Sequence, residues 1–234
     1  MVEVMFIESY YKKEINFDKL INYLNENYKD KKAYLYSSIQ FINHLNVLKN
    51  KEKNFKILSS KPKRANYYNQ ILGCDSYLDS LNLNVELSDV DLFLYIGDGN
   101  FHPYALLYVQ ENLEDNIPIV VYNPVSEEIR EIEKNLIKRN IQKRKVNKVK
   151  FYNSQNIGVF ISTKWGQEQR KNALKLKEKY KDKNFYFFIG DLFDKREVQN
   201  YPFIEFWINT ACPRIGQDDI VELDFPLLNL KDVL

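Results

Sequence analysis

Short runs of β-branched and aromatic residues recur along the chain, and between them apolar residues fall three or four positions apart. That alternation constrains the fold more than any other feature, because strands separated by helices become parallel neighbours with the helices laid over the sheet. Strands are expected at 2–7, 33–36, 55–58, 91–96, 118–122, 157–161, 185–189 and 203–208, two sets of four. Helices are expected over 17–29, where Phe17, Leu20, Ile21, Leu24 and Tyr28 share a face, and over 39–48 through Ile39, Ile42, Leu45 and Leu48. A short helix should follow Pro103 to about Glu114, and another should run from Gln167 to about Lys181. Ser126 reads as the N-cap of a further helix, with Glu127 and Glu128 in its first turn and Ile129, Ile132, Leu136 and Val146 on its buried face.

The fold class is therefore α/β, two similar Rossmann-like domains with four-stranded parallel sheets flanked by helices. The two sets resemble each other: 33–38 followed by helix and strand is echoed by 158–163 followed by helix and strand. The boundary is expected near residue 113. Domain 1–112 would carry Cys74 and a Gly-Asp-Gly loop, and domain 113–234 the Ser-Thr-Lys and Ala-Cys-Pro-Arg segments.

At 234 residues there is room for a hydrophobic core in each half. Lys and Arg total 34 against 32 Asp and Glu, so no net field recruits nucleic acid, DNA included, or an acidic membrane, and affinity for a polyanion would have to come from a local patch. From 134 to 150, however, eight basic residues occur with no acidic one. That stretch reads either as a solvated helix face completed by the acid-rich turn before it, or as a docking patch for an acidic partner or RNA. Two widely separated cysteines make no secreted disulfide framework and fit a reducing cytoplasm. No apolar run approaches the roughly 20 residues of a spanning helix, and the N-terminus lacks the order of a leader. Opening directly on a strand, the chain is expected to begin where something longer would be continuing.

The most chemically loaded segment is 207–215, where an apolar strand ends on Cys212 between Ala211 and Pro213. Proline forbids the strand to continue, so Cys212 is expected at a strand's carboxyl end, where open α/β sheets take their ligands. Cys74 lies in an irregular stretch, about 59–87, that also holds Tyr67 and Tyr68, expected as core residues; long loops inside compact domains are usually functional. The strand at 91–96 runs into Gly97-Asp98-Gly99-Asn100-Phe101-His102-Pro103, whose glycines let backbone approach a ligand closely. Ser162-Thr163-Lys164 with Gly166-Gln167 occupies another strand-to-helix junction.

Taken in order, 70–74, 96–103, 162–167, and 209–215 with Asp218-Asp219 and the later Pro226-Leu227-Leu228 resemble the archaeal diphthamide synthase family, the 2-(3-amino-3-carboxypropyl)histidine synthases. Ser37-Ser38-Ile39-Gln40 and His44 also match. The resemblance implies three related α/β domains, each giving one cysteine to a single [4Fe-4S] cluster. That cluster binds S-adenosylmethionine and cleaves the bond to its aminocarboxypropyl arm, and the resulting radical adds to a histidine of translation elongation factor 2. On that pattern Cys74 and Cys212 are cluster ligands and catalytic. Gly97, Asp98, Gly99, His102, Ser162, Thr163, Lys164, Gly166, Gln167 and Arg214 surround the cofactor.

Three thiolates on a four-iron cluster leave one iron for substrate, and this chain has two cysteines. The family's first domain is therefore expected on another chain, or the chain pairs as a homo- or hetero-dimer, with an electron donor as a further partner. Two other readings stand beside this one: a non-catalytic scaffold or reductive subunit of that enzyme, and an unrelated α/β nucleotide-binding protein. Each residue also has a plain reading. Either cysteine can be a small buried side chain. His102 can cap a helix, Asp98 can stabilise its own turn, and Arg214 can pair with Asp218 or Asp219. Gln40 and His44, one helical turn apart, suit an interface as well as a substrate.

Overall fold

The computed structural model describes residue 5, residues 7–51 and residues 54–234; of the strand expected at 2–7, all but Met5 and Ile7 lies outside the described residues. The chain forms two compact units, Met1–Lys134 and Asn135–Leu234.

The first unit contains α1 (Asp18–Asn27), β1 (Lys32–Ser37), a 3-10 turn Ile39–His44 that runs into α2 (Leu45–Asn50), β2 (Lys56–Leu58), β3 (Leu92–Ile96), α3 (Tyr104–Val109), β4 (Ile119–Asn123) and β5 (Glu128–Glu131). Its sheet has the order β2-β1-β3-β4-β5, parallel except for β5. After Lys32 every residue of β1 is buried, and so is every residue of β3. Strands covered on both faces read as continuous apolar runs rather than alternating ones, which is why these two stand out so clearly in the sequence. One face packs Phe17, Leu20 and Leu24 of the α1 segment against Leu35, Leu94 and Tyr122. On β1 the rings of Tyr34 and Tyr36 stack at 6.2 Å, and the Tyr36 hydroxyl meets Ser60 Oγ at 2.9 Å.

The second unit contains α4 (Lys138–Asn153), β6 (Asn156–Ser162), α5 (Arg170–Lys179), β7 (Asn184–Gly190), β8 (Phe206–Asn209) and β9 (Leu227–Asn229). Its sheet is wholly parallel with the order β7-β6-β8-β9. Phe151 of α4 and Ala173 and Leu176 of α5 share one core with Ile157, Val159, Phe206 and Ile208. A second apolar cluster holds Ile204, Trp207, Leu223 and Leu227 with Phe188 and Phe193 packed against it. The echo between the halves is a shared topology: β2-β1-β3 in one sheet and β7-β6-β8 in the other, each with its first strand in the middle.

Four expectations are corrected. The first sheet has five strands, the last antiparallel, rather than four parallel ones, because the chain returns along the free edge of β4. The division lies between Lys134 and Asn135 rather than near 113, because Ile119–Asn123 pairs with β3 and so completes the first sheet. The helix expected from Ser126 is instead a hairpin. Asn123 Oδ1 accepts the Val125 N–H at 2.9 Å, Glu127 takes a positive φ of 55°, and β5 returns antiparallel along β4. An Asx turn competes with a helical start, and here it wins. Leu136 and Val146 are accordingly exposed, and α4 buries Arg144, Asn147 and Phe151. Tyr67 and Tyr68 are surface residues rather than core. β9, within what reads as an apolar tail, makes a fourth strand in the second sheet. Among the described residues no helix is long and apolar enough to cross a membrane.

Candidate functional site

In the first unit, the carboxyl end of β1 organises the irregular stretch. Ser37 donates its N–H to Asn69 O at 2.7 Å and accepts from Ile71 N at 3.0 Å, while Asn69 Nδ2 donates to Leu35 O at 2.7 Å. The chain is thereby clipped beside the strand end just before Leu72-Gly73-Cys74-Asp75. Those four residues form a closed turn: Asp75 N donates to Leu72 O at 3.0 Å, and Leu72 N donates to Asp75 Oδ2 at 2.9 Å. Cys74 is half-buried on this turn.

The turn meets the loop after β3. A Cβ on Gly73 would lie 2.2 Å from the Phe101 ring, so the ring rests directly on the glycine and only glycine admits it there. Phe101 in turn stands edge-on to His102 at 5.5 Å. Gly97 is buried against the Tyr95 hydroxyl, Asp98 and Gly99 are exposed, and Arg130 of β5 donates to Gly99 O at 3.1 Å and to Asn100 Oδ1. Cys74, the Gly97–Gly99 turn and His102 therefore gather at the carboxyl edge of one sheet. Gln40 and His44 do not join them as a pair. His44 Nε2 is taken by Tyr11 O at 2.9 Å, a tether for the segment before α1, while Ser38 Oγ donates to the exposed Gln40 at 2.7 Å.

Asp75, beside Cys74, is fully buried and one carboxylate oxygen has no partner. Burial pushes its pKa up, against the opposing pull of the Leu72 N–H and of Arg64. A folded-state pKa raised above the unfolded value gives stability that is fully present below the ordinary carboxylate range and is lost as pH rises through the raised value. Asp75→Asn, which keeps an acceptor for Leu72 N–H, is therefore expected to be more stable than the parent at neutral pH. The gain should vanish as the pH falls toward 3.8, and urea melts at both pH values check it.

In the second unit β6 ends on buried Ser162, whose Oγ accepts the Lys164 N–H at 3.2 Å. Thr163 donates its hydroxyl to Asp191 and its N–H to Gly190 O at 3.0 Å, and Gln167 N donates to Lys164 O at 3.0 Å. Lys164 and Gly166 are exposed. Gln169 Nε2 then reaches Thr210 O at 3.1 Å, tying this junction to the loop that carries Cys212.

Cys212 is half-buried and sits just before the 3-10 turn Pro213–Gly216, with the proline at the turn's first position. Two buried asparagines hold the loop. Asn209 donates to Cys212 O at 2.9 Å and to Asn229 Oδ1 at 2.8 Å, and accepts from Ala211 N at 3.0 Å. Asn229 of β9 donates to Pro213 O at 2.7 Å. A Cβ on Gly216 would lie 2.4 Å from Asn229 Oδ1, so that position needs a glycine for the asparagine to reach in. The buried Arg214 is engaged by Asp218, Nε to Oδ2 at 2.7 Å, which is the structural of its two expected roles. Neighbouring Asp219 has its pKa raised by burial and by the charges of Asp218 and Glu222.

Each unit thus presents one cysteine at the carboxyl edge of its own sheet, flanked by a loop that the sequence also singles out, and neither cysteine is in a disulfide. Among the described residues no group of three His, Cys, Asp or Glu side chains stands together as a metal centre. Sequence reasoning missed Phe101, Asn209, Gln169 and Asn229. The first two lie inside the strand-end motifs 96–103 and 209–215, and the other two are recognisable only once β9 and the start of α5 are placed.

The profile of the diphthamide synthesis protein family matches residues 1–233. The 2-(3-amino-3-carboxypropyl)histidine synthase of Methanocaldococcus jannaschii is 28% identical over 162 residues, 67% of this chain and 43% of that protein. Subunit 1 of the same synthase from Caenorhabditis elegans is 25% identical over 226 residues, 92% of this chain and 52% of that protein. The chain spans about half the length of these curated relatives. The crystal structure of Dph2 from Pyrococcus horikoshii with a 4Fe-4S cluster aligns at a TM-score of 0.71 and 21% identity, covering 93% of this chain and 59% of that one. With Dph2's fold and a profile match along nearly its whole length, the chain belongs to the family of diphthamide synthesis proteins.

Proposed function

We propose that this chain is one component of a [4Fe-4S], S-adenosylmethionine-dependent transferase that moves a 3-amino-3-carboxypropyl group to a histidine of translation elongation factor 2. Cys74 and Cys212 serve as thiolate ligands, and another chain supplies the third cysteine. The observation that carries this reading is that each unit sets one half-buried thiol in a loop at the carboxyl edge of its parallel strands, Cys74 in the connection before β3 and Cys212 directly after β8. When bound, the cluster would supply the electron that breaks the carbon–sulfur bond of the sulfonium substrate.

The chain's own residues would do the rest. Asn209 and Asn229 hold the Cys212 loop open by taking its carbonyls, and the Leu72–Asp75 turn does the same for Cys74. The Gly97–Gly99 turn, exposed at Asp98 and Gly99, and the Ser162–Gln167 junction offer backbone and hydroxyl groups to the nucleoside and amino-acid parts of the cofactor. Lys164, exposed within that junction, is suited to a carboxylate. Arg214, already neutralised by Asp218, would order the loop rather than bind substrate.

The test is iron and sulfide content after anaerobic purification, with the chain alone and with any chain bearing one cysteine and one α/β domain. Stoichiometric cluster in either preparation is expected, and absence from both would overturn the reading. A second reading, a non-catalytic scaffold or reductive subunit, is favoured by the count of two cysteines. It requires transfer activity of the assembled enzyme to survive when both cysteines are alanine.

A further inference from the structure

Charge is unevenly distributed in the second unit. α4 and α5 together carry twelve basic residues and a single acid, Glu178, in a chain whose formal net charge is +2, so the remainder of the molecule is net acidic. Both helices lie in the same core, and their carboxyl ends meet where Phe151 stands edge-on to Tyr180 at 5.1 Å. One helix precedes β6 and the other follows it in a parallel sheet, so the two run the same way. The C-terminal segment bonds to both, Asp232 to Arg144 of α4 and the Val233 carbonyl to Lys179 of α5, so each helix presents its own basic face.

Neither helix has an acid in its first turn. The acids that would complete a neutral helix, Glu127 and Glu128, belong to the hairpin of the first unit. Arg144 is the exception on α4, buried and paired with Asp232 at 2.7 Å. Lys138, Arg139, Lys145, Lys148, Lys150 and Lys171 are exposed, and among the described residues no ion pair engages them. Like charges one helical turn apart, Lys145 with Lys148 and Lys171 with Lys175, work against helix stability. A surface that keeps them unneutralised suits an anionic ligand.

We propose that the outer faces of α4 and α5 bind the phosphate backbone of single-stranded RNA. Lys138, Lys145 and Lys148 follow one ridge of α4 that ends on exposed Tyr152, at spacings of seven, three and four residues. Sixteen residues of helix extend about 24 Å, long enough to follow several phosphates. The exposed cations are chiefly lysine, which protein–protein interfaces disfavour and which a phosphate chain accepts as point charges. Tyr152 offers a ring on which a base can stack. Acidic protein is the competing occupant.

Fluorescence anisotropy of the full chain with a labelled oligo-uridine of about 20 nucleotides tests this. About five phosphate contacts give a log–log salt slope of about −3.5, roughly a hundredfold loss of affinity between about 50 mM and about 200 mM salt. The triple variant K138E/K145E/K148E is expected to lose at least about tenfold, and K138Q/K145Q/K148Q an intermediate amount, with circular dichroism melts unchanged. Tyr152→Ala should lose about fivefold. No saturable signal at the lower salt, salt-independent binding, or unchanged binding by the folded triple variant would overturn the proposal. Displacement of the probe by poly-glutamate at lower concentration than by unlabelled RNA would also overturn it, and would assign the faces to an acidic protein. Binding to RNA requires no cluster, so failure here is separate from failure of the transferase reading.

Discussion

Cys212→Ala is expected to lose essentially all the iron and sulfide that the parent retains under anaerobic purification, whether alone or assembled with a partner chain. Its fold should barely change. The contacts that shape the loop engage the backbone of residue 212, whose carbonyl accepts Asn209 Nδ2 at 2.9 Å and the Ile215 N–H at 3.2 Å, and alanine keeps both. Loss of a half-buried sulfur costs about 1 kcal/mol or less, a shift of about 2–4 °C in the thermal midpoint for a chain of this size. Cys74→Ala should behave alike, because the Leu72–Asp75 turn is closed by backbone and by the Asp75 carboxylate rather than by the thiol. A parent that holds iron and a folded Cys212→Ala variant that holds just as much would remove the cysteine from the ligand set.

Asn209→Ala is expected to destabilise the second unit far more than either cysteine substitution destabilises its own, by about 3–4 kcal/mol. The side chain is buried and makes three hydrogen bonds, to Cys212 O, to Asn229 Oδ1 and from Ala211 N. Truncation leaves the Ala211 N–H and the Asn229 carbonyl oxygen without those partners inside the protein, each worth about 1–3 kcal/mol when unsatisfied. A drop of roughly 10 °C in the melting transition follows. Because the same bonds hold the Cys212 backbone, iron retention should fall along with stability in this variant, whereas Cys212→Ala should lose iron alone. Calorimetry and iron analysis on the two variants side by side separate a loop-positioning residue from a ligand; a shift of under about 1 kcal/mol in Asn209→Ala would contradict the network's role.

The strands most legible in the sequence are those buried on both faces, β1, β3 and β6, whose unbroken apolar runs admit few other placements. Both cysteines lie in loops at strand ends, and for Cys212 the reason is local: a β-rich run stopped by Pro213. The sequence misleads where local chemistry has two solutions. Ser126-Glu127-Glu128 satisfies a helix start, yet Asn123 bonding forward to Val125 makes a turn, and β4 offers an unpaired edge for the chain to return along. Leu136 and Val146 fit a helical stripe, but α4 buries instead the face holding Arg144 and Asn147, whose burial is offset by Asp232 and by the Leu227 carbonyl. Polar burial of this kind depends on partners distant in sequence and leaves no hydrophobic signature.

What the sequence by itself determined was the α/β class, the repeated order of strands, and the identity of the thiols and glycine turns, because each follows from periodicity or from the backbone preferences of neighbouring residues. Only the tertiary structure decided where one unit ends and the next begins, that Phe101 rests on Gly73, that Arg214 is held by Asp218, and that Asn209 and Asn229 clamp the cysteine loop. Those outcomes depend on which sheet edge a strand joins and on which buried polar groups find one another. Both are settled by packing between segments far apart in the chain.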